Sequence, residues 1–537
     1  MSEPTPDDDE NAVTERTPLV GTSGISTIQG TPALASASAW KSGRSRSTTL
    51  ASSISSAENT VSWMYNPKII LSLCYSIVLV GSLSGGFQQI PMTRIYEDIL
   101  CHEYYGQSPT SGEPIDEVLC KKDVIQSELA YLFAFLEALN SGIGCLVALL
   151  WGILADRIGR KPVYATATIG MIFHVLLIMI VGWFPDKFPV RWIWISSVAH
   201  LAGGPSVIGA CTYSMVSDII PESSRSIAFM RIHVASLAGN LVSPALASAM
   251  MSTTGPWPVM WLTIILWALA AALIAIIPET FRQPMRSDVT GSTLTFKTRA
   301  LRGFNQLKDS LSIIRAGSVI LILCICLLSM PVVMCTLQFM VQYISKHYHI
   351  PIAKTGYIQS VFGIAHIVVV LLIVPGLSKL VVQPTTPKFF RVANEKDRDL
   401  ILARWSYVVY AIGSFILGVS PTLPVFITGL VVMSLGSGSA SFIKSIATSH
   451  VDIEHRSRLF SIMALLDVGS NIWATPALAG LFTLGMRLGG VWIGLPYLGV
   501  SISCIMMLIL ALFVRTPRTD RDDKPPPELR SIIEDAT

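Results

Sequence analysis

The sequence predicts an all-α membrane protein of twelve transmembrane helices arranged in two pseudo-symmetric six-helix bundles. Three observations carry that expectation. Hydrophobic residues make up 51% of the 537 and charged residues only 14%, against about 25% charge in soluble domains. The apolar residues gather into runs of roughly 20, the helix length that spans a hydrocarbon core of about 30 Å. Finally, the second half of the chain repeats features of the first. Mean hydropathy is +0.56.

Residues 1–62 are polar and rich in Ser and Thr, with an acidic run from Asp7 to Glu10. They read as a disordered cytoplasmic tail, with no secretory signal peptide. Apolar runs at 68–90, 130–154, 162–183, 192–216, 226–252 and 257–277 build an N-terminal bundle over residues 63–277. The segment 278–316, with Arg282, Arg286, Lys297, Arg299, Arg302, Lys308 and Arg315, reads as a cytoplasmic linker. Runs at 317–344, 355–375, 402–420, 424–446, 459–484 and 490–513 build the second bundle, residues 317–514. The ninth run is the weakest, because Arg404 cuts into its start. Residues 515–537 form a short cytoplasmic tail.

Alternate loops differ in charge. With the N-terminus inside, the cytoplasmic loops hold 19 Lys and Arg and the opposite loops eight, so both termini are expected in the cytoplasm. The first opposite loop, 91–129, is acidic and contains Cys101 and Cys120. A disulfide between them would close a modest loop in an oxidising compartment; two free thiols are the alternative. The other seven cysteines lie in apolar runs and read as small hydrophobes. A net charge of +4 gives no reason to expect a nucleic-acid partner.

The repeat lies in helices 4–5 and 10–11. A Leu-Ala-Gly-Gly run ending at Gly204 precedes Asp218 by the interval at which a Leu-Gly-Ser-Gly run ending at Gly438 precedes Asp452. Ser243-Pro244 and Thr475-Pro476 each precede Ala-Leu-Ala, and Arg225 and Arg458 stand at matching helix starts. Two halves related by a two-fold axis along the membrane normal follow, with a cleft between them.

Between helices 2 and 3 stand Gly152, Ala155, Asp156, Arg157, Gly159, Arg160, Lys161 and Pro162. Gly152 allows close helix approach. Asp156 can accept hydrogen bonds from a neighbouring helix N-terminus, and Arg157, Arg160 and Lys161 can pair with acids or lipid phosphates. This segment closely resembles the loop 2–3 signature of the major facilitator superfamily, and the resemblance covers residues 65–515. It implies rocking alternating access, a central solute site and a cytoplasmic gate that includes Asp156 and Arg160, to which Asp218 and Arg225 are added. Other marks of the superfamily depart from its pattern. His200 stands before Gly204 where many proton-coupled members carry Arg, and Ser243 replaces the second Gly of a helix 5 motif frequent in antiporters. Pro278-Glu279-Thr280 resembles a frequent ending of helix 6. Within the superfamily the chain resembles fungal members distantly similar to proton-coupled folate- and heme-type carriers and to tetracycline-type exporters.

Ionisable groups within spans are costly and therefore functional candidates. Glu137 in helix 2, His200 in helix 4, His233 in helix 5, His366 in helix 8 and Asp467 in helix 11 are candidates for proton coupling or solute binding. Against that stand plain alternatives: His200 as an interhelical hydrogen-bonder, Lys444 as a snorkelling side chain, and Arg231 as the partner of a cytoplasmic acid. If the superfamily arrangement holds, Glu137 and Asp467 share the interface of helices 2 and 11, and His233 and His366 share that of helices 5 and 8. Gln88, Gln89, Gln338 and Gln342, on the pseudo-equivalent helices 1 and 7, are candidates to line the cavity. Gly203–Gly209 reads first as a close-packing surface.

The expected function is secondary active transport of a small organic solute by a functional monomer in the lipid bilayer. It would need no cofactor and no metal, with a proton gradient as its energy source. No enzyme or ATPase motif occurs. The partial helix 5 motif favours efflux of drug-like compounds or secondary metabolites. Proton-coupled uptake of an organic anion or nutrient is the alternative, and a non-transporting sensor with the carrier fold is a third reading. The plasma membrane is expected. Glu15–Val20, which resembles an acidic dileucine sorting signal, makes the vacuolar membrane the alternative.

Overall fold

The computed structural model describes residues 66–107, 115–220, 225–279, 317–377, 395–451 and 456–515. The tails, the sorting signal, most of the linker and Asp452 lie outside these residues, as do the side chains of Asp156, Arg225 and Arg458. Twelve helices among the described residues are long and apolar enough to cross a membrane. They are α1 (Pro67–Tyr104), α2 (Asp123–Ile158), α3 (Arg160–Trp183), α4 (Val190–Ile219), α5 (Arg225–Thr254) and α6 (Pro256–Ile276). The second set is α7 (Gly317–His347), α8 (Ile352–Leu377), α9 (Glu395–Val419), α10 (Leu423–Ser449), α11 (Arg456–Leu488) and α12 (Gly490–Phe513).

Two helices run well past their apolar stretches. α1 continues to Tyr104, and α2 starts at Asp123 and ends at Ile158. Helix hydrogen bonding carries on through the headgroup layer, where polar side chains are tolerated, while hydropathy registers only the hydrocarbon part. As a result the motif between helices 2 and 3 is mostly helix, broken only at Gly159.

Helix packing shows the expected symmetry. α1 packs on α5 and α6 as α7 packs on α11 and α12, and α3 packs on α4 and α6 as α9 packs on α10 and α12. Each bundle has its own apolar core. The bundles meet along α2 with α11 and α5 with α8.

One face of the membrane domain is sealed. Cys101 and Cys120 form a disulfide that fixes the short helix Leu119–Lys121 beside the end of α1. From this stapled segment the Glu117 carboxylate accepts the Ile352 amide at the start of α8 (2.8 Å). Lys346, at the end of α7, pairs with Asp123 (2.6 Å) and donates to the Lys121 carbonyl. Gln342 donates to the Gln126 carbonyl (2.7 Å). Beneath, Glu97 is fully buried and receives Lys121 (2.6 Å), Gln126 (2.6 Å) and Arg94 (3.0 Å), so its charge is paired from several sides. An apolar cluster that includes Phe87, Ile90, Val341 and Ile352 continues the seal inward.

Candidate functional site

Below the seal lies a cavity of about 540 Å³, within the size range of drug-binding pockets. It is lined by α1, α2, α3, α4, α7 and α11. Among the described residues lining it, Glu137 is the one carboxylate, and Lys and Arg do not occur. Asn140, one turn further along α2, hydrogen-bonds Glu137. Gln88, Gln89 and Gln338 line the cavity too, and Gln89 reaches across the bundles to donate to the Leu337 carbonyl. Leu337 and Gln338 sit in a π-helical stretch of α7, Cys335–Phe339, just after Pro331. A proline there cannot donate its amide, and the wider turn re-aims these side chains.

His200 also reaches the cavity, against a ring that sequence reasoning passed over. His174 of α3 lies 4.5 Å from it between centroids, and both are buried. The Ser196 carbonyl lies 3.0 Å from His174 Nδ1; a carbonyl only accepts, so this nitrogen carries a proton. Asn140 and Asn471 were missed as well, since neutral amides add little to a hydropathy profile. His174 had one available signal: on the α3 face it shares with the buried Ala167 and Met171, it is the polar member.

The remaining candidates fall elsewhere. Gln342 belongs to the seal. Asp467 does not line the cavity; it lies within electrostatic reach of Lys444, which also acts on His233, and His233 acts on His366. The α5–α8 pairing thus brings His233 and His366 within electrostatic reach of each other, while Glu137 and Asp467 stand on the packed helices α2 and α11 with only Glu137 lining the cavity.

At the opposite face from the seal, the motif is anchored by Glu279. Its carboxylate accepts the Arg160 amide (3.1 Å) and the Lys161 amide (3.2 Å), capping the positive N-terminus of α3. Lys161 reaches back to the Ala275 carbonyl (2.7 Å), and Arg160 forms an ion pair with Asp218 at the end of α4. Gly159 is required here: its φ of +101° suits glycine, and a Cβ would run into the Glu279 carboxylate. The side chain of Gly152's neighbour Trp151 donates to the Leu201 carbonyl (2.9 Å), tying α2 to α4.

Two bundles around a central cavity, sealed at one face, define a multi-pass membrane carrier of small solutes. The profile described as Major Facilitator Superfamily matches residues 125–393. The chain belongs to that superfamily and is a membrane transporter, not an enzyme. It is 28% identical to the MFS efflux pump atnC of Emericella nidulans over 85% of this chain and 89% of that one. It is 27% identical to the efflux pump ustT of Aspergillus flavus, over 79% and 84% respectively. Its fold is similar to that of a D-xylose-proton symporter, with a TM-score of 0.59 at 14% identity, covering 83% of this chain and 98% of that one.

Proposed function

We propose that this chain exports a neutral or weakly basic organic solute in exchange for protons, with Glu137 as the proton-binding group. The observation that carries the reading is that, among the described residues lining the cavity, Glu137 is the one carboxylate and Lys and Arg do not occur. A carboxylate half-buried among apolar and amide side chains can hold a proton or a cationic solute, and the exclusion of one by the other couples their movements. An organic anion would meet Glu137 with no fixed cation to balance it, which counts against the uptake reading. Two relatives named as efflux pumps support the outward direction.

The gating role belongs, on this reading, to Gly152, Asp156, Arg157, Gly159, Arg160, Lys161, Asp218 and Arg225, joined by Glu279. Asp218 and Arg160 would part when this face closes differently. His233, His366 and Asp467 form a secondary titratable group with Lys444. The working unit is a monomer with both termini in the cytoplasm, placed in the plasma membrane, with the vacuolar membrane as the alternative. The test is solute flux in reconstituted vesicles under an imposed pH gradient. Gradient-driven accumulation that disappears in Glu137→Gln supports the reading; accumulation unchanged by that substitution overturns it.

A further inference from the structure

One fully buried carboxylate, Glu97 of α1, does not line the cavity. A carboxylate removed from water is costly unless donors fill its lone pairs. Glu97 takes those donors from three side chains of its own bundle. Arg94 donates to Oε2 (3.0 Å), while Lys121 and Gln126 both donate to Oε1 (2.6 Å each).

Lys121 and Gln126 are themselves buried, and each leads on to the second bundle. The Lys121 ammonium also donates to Glu117 Oε1 (3.0 Å), the atom that accepts the Ile352 amide at the start of α8 (2.8 Å). The Lys121 carbonyl accepts Lys346 of α7. Gln126 donates a second time, to the Cys120 carbonyl (3.1 Å), and its own carbonyl accepts Gln342 of α7 (2.7 Å). Contacts to Ile352, Lys346 and Gln342 therefore lead back, through Lys121 and Gln126, to a single buried oxygen. Lys346 has a second partner, Asp123, that does not depend on it. Two donors on one oxygen call for an acceptor of high charge density, because charge-assisted hydrogen bonds are roughly twice as strong as neutral ones.

We infer that Glu97 is the positioning residue of the seal. It holds Lys121 and Gln126 where the second bundle reaches them, and so favours closure of this face. Its own hydrogen bonds stay within the first bundle. The role is independent of which solute is carried and of the part assigned to Glu137.

The test is hydrogen exchange of the full chain in lipid nanodiscs, read by mass spectrometry at one pH and temperature. Amide exchange follows local opening, so residues 342–353, at the junction of α7 and α8, report the second bundle's half of the seal. Glu97→Gln keeps the shape and removes the charge. It is expected to speed exchange over 342–353 about tenfold, the scale of one or two hydrogen bonds lost from the contact. Exchange over Ser439–Ser449, at the far end of α10, should not rise. Glu97→Asp keeps the charge but is one methylene too short to hold both donors, and should speed exchange over 342–353 about threefold. That variant decides the matter if Glu97→Gln fails to fold. A rise confined to the first bundle, where any lost contact of Glu97 would show, overturns the positioning role. So does an equal rise over Ser439–Ser449, which would mean general loosening, and so does unchanged exchange in the variant that folds.

Discussion

At the residue scale, Glu137 and Glu279 illustrate what a sequence reveals and what it hides. Glu137 stood out because a carboxylate within an apolar run is costly and needs a reason. Glu279 drew notice only as part of a helix 6 ending, because capping is a tertiary relation between α6 and α3 that no local pattern encodes. The motif glycine is similar: Gly159 was legible by resemblance, but the reason for it, a carboxylate pressed against its backbone, was not. Glu279→Ala is expected to lower the melting temperature of the purified protein by an amount that corresponds to about 0.5–2 kcal/mol, the usual cost of a lost cap. Glu279→Asp should lose less. Unchanged melting in both variants would contradict the capping role. His174 went unnoticed because one histidine in α3 does not disturb its apolar character; its meaning lies in the tilted ring contact with His200.

At the element scale, most helices were legible and their breaks were not. The Gly203–Gly209 stretch read as a packing surface, and a Cβ on Gly203 would indeed run into Ala167; what it did not reveal is that α4 changes there from a 3-10 stretch, Val190–Ala202, to an α-helical segment, Gly204–Ile219. The first loop between helices was seen to be acidic and to hold two cysteines, but its ion pairs to α7 and α8 depend on how the bundles meet. The disulfide closes a separation of 19 residues, for which about 3 kcal/mol of stabilisation is typical. Replacing both cysteines by serine should therefore lower the melting temperature and make that temperature insensitive to reductant. A double variant as stable as the oxidised wild type would contradict this. Acid should also loosen the seal. Burial pushes the Glu117 carboxyl up, but Lys121, the Ile352 amide and Arg94 outweigh it and hold it below the usual range. A group lowered in this way stabilises the closed contact above the ordinary carboxylate range, and that stability is lost as pH falls through the depressed value. In Glu117→Gln, thermal stability should depend less steeply on acid pH than in the wild type. Equal acid sensitivity of the two proteins would show that Glu117 does not carry the effect.

At the scale of the whole molecule, the repeat foretold two bundles, and the paired packing of α1–α6 and α7–α12 bears them out. Which face is sealed was not legible, because the same sequence must support both closures in a transport cycle and their difference is small. Gln126 and Gln342 touch across the seal at 3.2 Å between side chains. Replacing both with histidine creates a clamp that needs no new thiol. Added zinc should stop transport and a chelator should restore it; transport indifferent to zinc would mean that this face does not open during the cycle. The central claim is that a pH gradient drives solute movement through the protonation of Glu137. Its most direct measurement is solute accumulation in vesicles reconstituted with wild type or Glu137→Gln, with and without an imposed pH gradient. The account predicts gradient-dependent accumulation by the wild type, and for Glu137→Gln only equilibration down the solute's own gradient. Accumulation by both proteins to the same level would contradict it.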